Sequence, residues 1–73
     1  MTLEQLRIFV AVATREHVTE AAKALNLTQS AVSAAIRALE NQHDVQLFDR
    51  VGRRVVLTVA GRLFLAEARQ VLA

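Results

Sequence analysis

Gln29, Ser33 and Arg37 stand four residues apart, with Thr28 and Ser30 beside the first of them. On a helix that spacing lines up an amide, a hydroxyl and a guanidinium along one side. None of these groups makes or breaks bonds without an activating partner, and the surrounding carboxylates are scattered. What they offer is directional hydrogen bonding. An amide donates and accepts side by side, the pattern that pairs with the edge of adenine, while a guanidinium suits guanine or a phosphate. A second group, Arg50-Val51-Gly52-Arg53-Arg54, holds three arginines in five residues. Such density fits a polyanion. On charge alone, a solvated turn that happens to be basic explains it equally well.

These groups need elements to hold them. The stretch from Val18 to Arg37 reads as two short helices and a tight turn. Thr19 is expected to cap the first and Thr28 the second, with Asn26 in the left-handed turn conformation that Asn tolerates better than any residue but Gly. Ala21 and Leu25 face inward, Ala22 permits close approach, and Leu27 plugs the turn. The second helix, predicted from Gln29 to Gln42, buries Val32, Ala35, Ile36 and Leu39. Its other face is short-chained and nearly uncharged: Gln29, Ser33 and Arg37, flanked by Ser30, Ala34 and Asn41. A plain surface helix would carry more Glu and Lys, although an alanine-rich solvent face is the simpler alternative. Glu40 and Asp44 come only at its far end. This is the layout of a helix-turn-helix whose second helix enters the major groove of DNA.

Around that unit, Thr2 and Gln5 have the spacing of a capping box. Leu3, Leu6, Phe9, Val10 and Ala13 then form a core stripe. Ile8 and Val12 widen it to a second side, as a broad buried stripe or as a subunit contact. Val45–Arg50 and Arg54–Leu57 read as two short strands about a Val51-Gly52-Arg53 tip, a wing beside the helix-turn-helix. Thr58 caps a last helix from Val59 to Ala73. Gly61 costs that helix some propensity, tolerably so near its start. Leu63, Phe64, Leu65, Ala68, Val71 and Leu72 cover more than one side of it, and no stop signal precedes Ala73. That pattern suggests a piece of a longer protein.

Seventy-three residues allow one domain with a thin core,. There is no cysteine, which excludes disulfides and thiolate metal sites,. His17 and His43 have no metal-ligand spacing and read as ordinary histidines, so no metal or cofactor is expected. A partner chain is the support that remains. The hydrophobic fraction of 53%, high for a small domain, leaves apolar surface for it,. No apolar run is long enough to cross a bilayer and no leader opens the chain, which fits a cytoplasmic protein with no membrane partner. Charge divides along the sequence: four basic and six acidic side chains in residues 1–49 give −2, and five against one in residues 50–73 give +4.

Several segments, in one order and without gaps, resemble the N-terminal DNA-binding domain of LysR-type transcriptional regulators. Leu6-Arg7-Ile8-Phe9-Val10-Ala11-Val12-Ala13 is similar to the family's first helix. Thr19-Glu20-Ala21-Ala22 through Leu25 is similar to its second. Thr28-Gln29-Ser30-Ala31-Val32-Ser33, Ile36 and Leu39-Glu40 resemble its recognition helix. Leu47-Phe48-Asp49-Arg50 and Leu57-Thr58-Val59-Ala60-Gly61 resemble its wing and the start of its linker helix. The chain departs from the family at Ser30, often Pro; near Ala34, often bulky and polar; and at His43-Asp44, usually Leu-Gly.

The resemblance implies a mainly α, winged helix-turn-helix fold: three helices, a two-stranded wing and a C-terminal linker helix. Residues 1–58 would form the winged domain, with the helix-turn-helix at 18–37, and residues 59–73 a truncated linker and dimerisation helix. The partner expected is double-stranded DNA, read as an interrupted inverted repeat. Thr28, Gln29, Ser30, Ser33, Ala34 and Arg37 would act from the recognition helix. Arg50 would hold the backbone, and Arg53, then Arg54, would reach the minor groove. One domain covers little DNA, so a homodimer is expected, through Leu63, Phe64, Ala68 and Val71 of the linker helix and through Ile8 and Val12. A full-length protein would form a higher oligomer and bind a small-molecule effector through a C-terminal domain absent here.

Two other classes compete. An enzyme would need a nucleophile–base pair or a phosphate loop, and neither is present. A winged helix that binds protein partners shares the fold, since fold does not settle function. Such modules fill the recognition face with large apolar or acidic groups, unlike Gln29, Ser30, Ser33 and Arg37.

Overall fold

In the computed structural model, which describes residues 1–73, the first helix (α1, Leu3–Arg15) is the one the others surround. Its capping box forms as the spacing predicts. Gln5 N–H donates to Thr2 Oγ1 and Thr2 N–H to Gln5 Oε1, each at 3.0 Å,. Helices α2 (Val18–Leu25), α3 (Gln29–His43) and α4 (Val59–Leu72) all pack on α1. Leu6, Ile8, Phe9, Ala11, Val12 and Ala13 are buried in consequence. This corrects one expectation. Ile8 and Val12, 5% and 1% exposed, are closed inside the chain and cannot meet a second subunit. A central helix has neighbours on several sides and needs apolar residues on each.

The corner between α1 and α2 also differs from the sequence reading. His17 caps α2, its Nδ1 accepting from Glu20 N–H at 3.2 Å, and Thr19 lies inside the first turn. An imidazole with a neutral nitrogen is as able an acceptor as a hydroxyl. Downstream, Asn26 takes the left-handed conformation (φ 59°) and Leu27 N–H closes back onto Ala22 O at 2.9 Å,. Thr28 then caps α3, accepting from Ala31 N–H at 3.0 Å. Val32, Ile36 and Leu39 of α3 are buried against α1 and α2, where Ala21 and Ala22 allow close packing.

Asp44 ends α3 in the left-handed conformation. The strands are β1 (Phe48–Val51) and β2 (Arg54–Leu57), an antiparallel pair with Phe48 opposite Leu57 and Val51 opposite Arg54. Val45–Leu47, expected within the first strand, lie outside it. Leu47 is fully buried and its backbone serves other elements: its N–H donates to Glu40 Oε2 at 2.8 Å and its carbonyl accepts from Thr58 N–H at 3.0 Å. The two-residue tip is Gly52-Arg53. Gly52 has φ 63° and Arg53 a negative φ, the signs of a type II′ turn,.

α4 begins at the Thr58 cap, with Gly61 N–H donating to Thr58 Oγ1 at 2.9 Å. Its inner side faces the core. The Phe64 ring stacks edge-on against Phe9 and against His43, each at 5.1 Å, and Phe9 meets Phe48 at 5.3 Å,. Ala68, 2% exposed, belongs to this inner side too, so its expected place in a subunit contact is corrected along with that of Ile8 and Val12. Phe64 is half-buried in the chain's own core, whereas Val59, Leu63 and Val71 stay exposed. No helix is long and apolar enough to cross a membrane.

Candidate nucleic-acid interface

The turn before α3 sets its first residues at the surface. Thr28, Gln29, Ser30 and Ala34 are exposed, and so is Arg37 two turns on. The backbone N–H groups of Gln29 and Ser30 belong to the first helical turn and have no intrahelical acceptor, as at any helix start,. The partial positive charge there favours an anion. The Thr28 hydroxyl is already engaged as the cap of Ala31. Ser33 is half-buried on the side of α3 that turns toward the hairpin.

Between α3 and the hairpin runs a cleft of about 350 Å³. Ser33, Arg37 and Glu40 border it from α3, and Gln46 and Arg50 from the wing. Its floor is apolar, formed by Val12, Val18, Ile36, Phe48 and Val55. Strand alternation explains why Arg50 is here: it lies opposite Val55, on the hairpin face that also carries Phe48,. Gln46 is held at the rim, donating from Nε2 to Phe48 O at 3.0 Å and to Asp49 Oδ1 at 3.3 Å. The fold thus brings Ser33, Arg37 and Arg50 to one groove, leaves Gln29 and Ser30 at the open end of α3, and sets Arg53 apart at the hairpin tip.

Arg37, Arg50 and Arg53 have no carboxylate partner within the chain. Arg54 does: its Nη2 lies 2.9 Å from Glu16 Oε1. One residue away from Val55, its side chain leaves from the opposite hairpin face, where the end of α1 supplies that carboxylate. Sequence reasoning missed this pair, whose members are 38 residues apart. It also missed the contact of Glu40, read only as an acidic residue at the far end of the helix, with the Leu47 N–H just ahead of the wing.

Comparison with known proteins bears on this surface. Residues 3–62 match the family described as bacterial regulatory helix-turn-helix protein, lysR family. An uncharacterized HTH-type transcriptional regulator of Azotobacter vinelandii is 51% identical over 72 residues, which are 99% of this chain and 50% of that protein. The SDS degradation transcriptional activation protein of a Pseudomonas species is 51% identical over 70 residues, 96% of this chain and 23% of that one. The chain therefore spans half or less of the length of these curated relatives. Among solved structures, the CbnR DNA-binding domain in complex with DNA superposes with a TM-score of 0.95 at 39% identity, covering 99% of this chain and 83% of that one.

Proposed function

The chain belongs to the lysR family of bacterial regulatory helix-turn-helix proteins, and from that premise we propose that it reads double-stranded DNA as half of a two-fold dimer. The family is one of transcription regulators, and the chemistry of this surface is recognition. The observation that carries the reading is the juxtaposition of an exposed, short-chained α3 face with unpaired arginines on the adjoining hairpin. A helix with small outward residues can sink into the major groove, and the hairpin then lies along the backbone toward the adjacent minor groove.

Gln29 is assigned to base reading, through a paired hydrogen bond to adenine. Ser30 and Ser33 are short enough to reach base edges or phosphates, and Ala34 leaves room for the approach. Thr28, with the free amides after it, suits a phosphate. Arg37 and Arg50 neutralise phosphates on the two sides of the cleft. Arg53 enters the minor groove where A·T-rich sequence narrows it. Arg54, held by Glu16, takes the lesser part. Residues 1–58 act as the reading domain and residues 59–73 as the linker. The exposed Val59, Leu63 and Val71 are the surface through which α4 pairs with a second copy.

Selection of bound fragments from random duplex DNA tests this. An interrupted inverted repeat is expected. Recovery of no motif, with binding that vanishes as salt rises, would leave only phosphate contacts and refute base reading by α3.

A further inference from the structure

Three helices of this chain end on a residue in the left-handed conformation: Glu16 after α1, Asn26 after α2 and Asp44 after α3. Asn and Asp are the types that tolerate that backbone, because a short polar side chain can bond locally. Glu has neither that option nor the freedom of glycine, yet Glu16 sits at φ 55°. A residue held against its backbone preference points to work done by its side chain. Here the side chain has a distant partner, the Arg54 guanidinium at 2.9 Å. The backbone of the same residue has another: Val55 N–H donates to Glu16 O at 3.0 Å, on the edge of β2 that β1 leaves free. The cap closes behind it, Glu16 N–H donating to Val12 O at 2.7 Å.

We propose that Glu16 is a positioning residue for the wing, fixing the hairpin against the end of α1 so that Arg53 at its tip meets DNA at a set distance from α3. The inference rests on the DNA-reading role of the wing. The two Glu16 contacts divide the task. The carbonyl fixes the height of β2, and the carboxylate fixes its roll by holding a side chain on the face opposite Arg50. Roll is what a short two-stranded hairpin lacks, since only the Phe48 and Val55 face is anchored in the core. Arg54, so engaged, steers the wing instead of adding a phosphate contact.

Glu16→Gly separates this role from plain stability. Glycine removes the strain at the cap and keeps the carbonyl, so the variant should melt no lower than the wild type. It should nevertheless bind less well. Affinities are measured on two duplexes that share the selected central site and differ only in A·T-rich or G·C-rich flanks. The variant should lose about two- to fivefold of its preference for A·T-rich flanks, the scale of an exposed ion pair. Arg53→Ala should then cost less in the Glu16→Gly background than alone. Glu16→Ala, which keeps the Cβ and removes the acceptor, should show the same flank effect. Where the wild type prefers A·T-rich flanks, an unchanged preference in the variant, or tighter binding as Arg54 is released to a phosphate, would overturn the proposal. Residual dipolar couplings of the hairpin amides in the free protein provide a readout without DNA. Couplings that differ between wild type and Glu16→Gly support the positioning role even if the wild type ignores flank sequence, a result that would sink minor-groove reading alone. Identical couplings would overturn the positioning role whatever the DNA result.

Discussion

Gly61→Ala reverses the sign that helix propensity assigns to it. Alanine in a helix is favoured over glycine by about 1 kcal/mol, so a reading of α4 by itself expects stabilisation. In the folded chain a Cβ at residue 61 would stand 2.1 Å from the Leu47 carbonyl oxygen and 2.9 Å from Leu57 Cδ2. The first contact is with backbone, which has no rotamer to move aside. The start of α4 must retreat by roughly 1 Å to restore an ordinary contact. Thr58 retreats with it, and Thr58 holds two bonds to the segment that leads into β1: its N–H to Leu47 O at 3.0 Å and its Oγ1–H to Gln46 O at 2.6 Å. Losing both costs about 2 kcal/mol, and the overpacking about 1–3 kcal/mol more. Against the propensity gain, the net is a loss of about 3 kcal/mol. In a domain of this size that lowers the melting temperature by roughly 12–24 °C. Circular dichroism melts of wild type and Gly61→Ala measure it directly. Gly52→Ala serves as the comparison: it has open space around its Cβ and φ 63°, and should cost about 1–2 kcal/mol of backbone strain,. A Gly61→Ala protein that melts at or above the wild type would refute the argument from close approach.

Three further perturbations test other parts of the reading. Gln29→Ala should cost about 1–3 kcal/mol on the selected site and little on random duplex, by fluorescence anisotropy; equal losses on both would remove its role in base reading. Glu40→Ala leaves the N–H of the fully buried Leu47 without its acceptor and should lower stability by about 1–3 kcal/mol in urea denaturation, with Glu40→Gln milder because an amide oxygen can still accept; unchanged midpoints would show the contact to be idle. Leu63 is 68% exposed, so Leu63→Asp should fold as the wild type does while sedimenting as a monomer; a persisting dimer would place the interface elsewhere.

What could be read from the sequence is what local periodicity and cap chemistry determine. Of the stripe Val32, Ala35, Ile36 and Leu39, all but the half-buried Ala35 are buried as spaced, Asn26 is left-handed, and Thr2, Thr28 and Thr58 cap their helices. The hairpin tip at Gly52 was legible for the same reason. What could not be read depends on which distant groups the fold brings together. A cap at His17 in place of Thr19 follows from where α2 starts, two residues after the left-handed Glu16. The burial of Ile8, Val12 and Ala68 requires knowing that α1 is surrounded, and an amphipathic pattern gives width without naming the neighbour,. Gly61 looked like a weak helix residue because its reason lies in Leu47, outside the helix. For the candidate site the division is the same. The exposed places of Gln29 and Arg37 follow from helical spacing, which also set Ser33 between them where it is half-buried, whereas Arg54 shares a run with Arg53 and its pairing with Glu16 follows only from strand alternation.

The long-range contacts absent from any local reading fasten the wing at two places. On one side Leu47 joins two helices and the core: its N–H to the Glu40 carboxylate of α3, its carbonyl to the N-cap of α4, and its side chain to the core. On the other side Glu16 joins the end of α1 to β2 through a backbone and a side-chain contact. A two-stranded hairpin is marginal by itself, so its direction is set by these fastenings and not by its own pairing. Reading two grooves at once demands that the α3 face and the hairpin tip keep a fixed separation, because B-DNA offers the grooves at a fixed separation. Freedom of the wing would have to be lost on binding and would weaken it accordingly. In the proposed reading the acidic residues Glu16 and Glu40 support the interface through the contacts they make within the chain: Glu16 holds Arg54, and Glu40, at the border of the cleft, holds the Leu47 N–H.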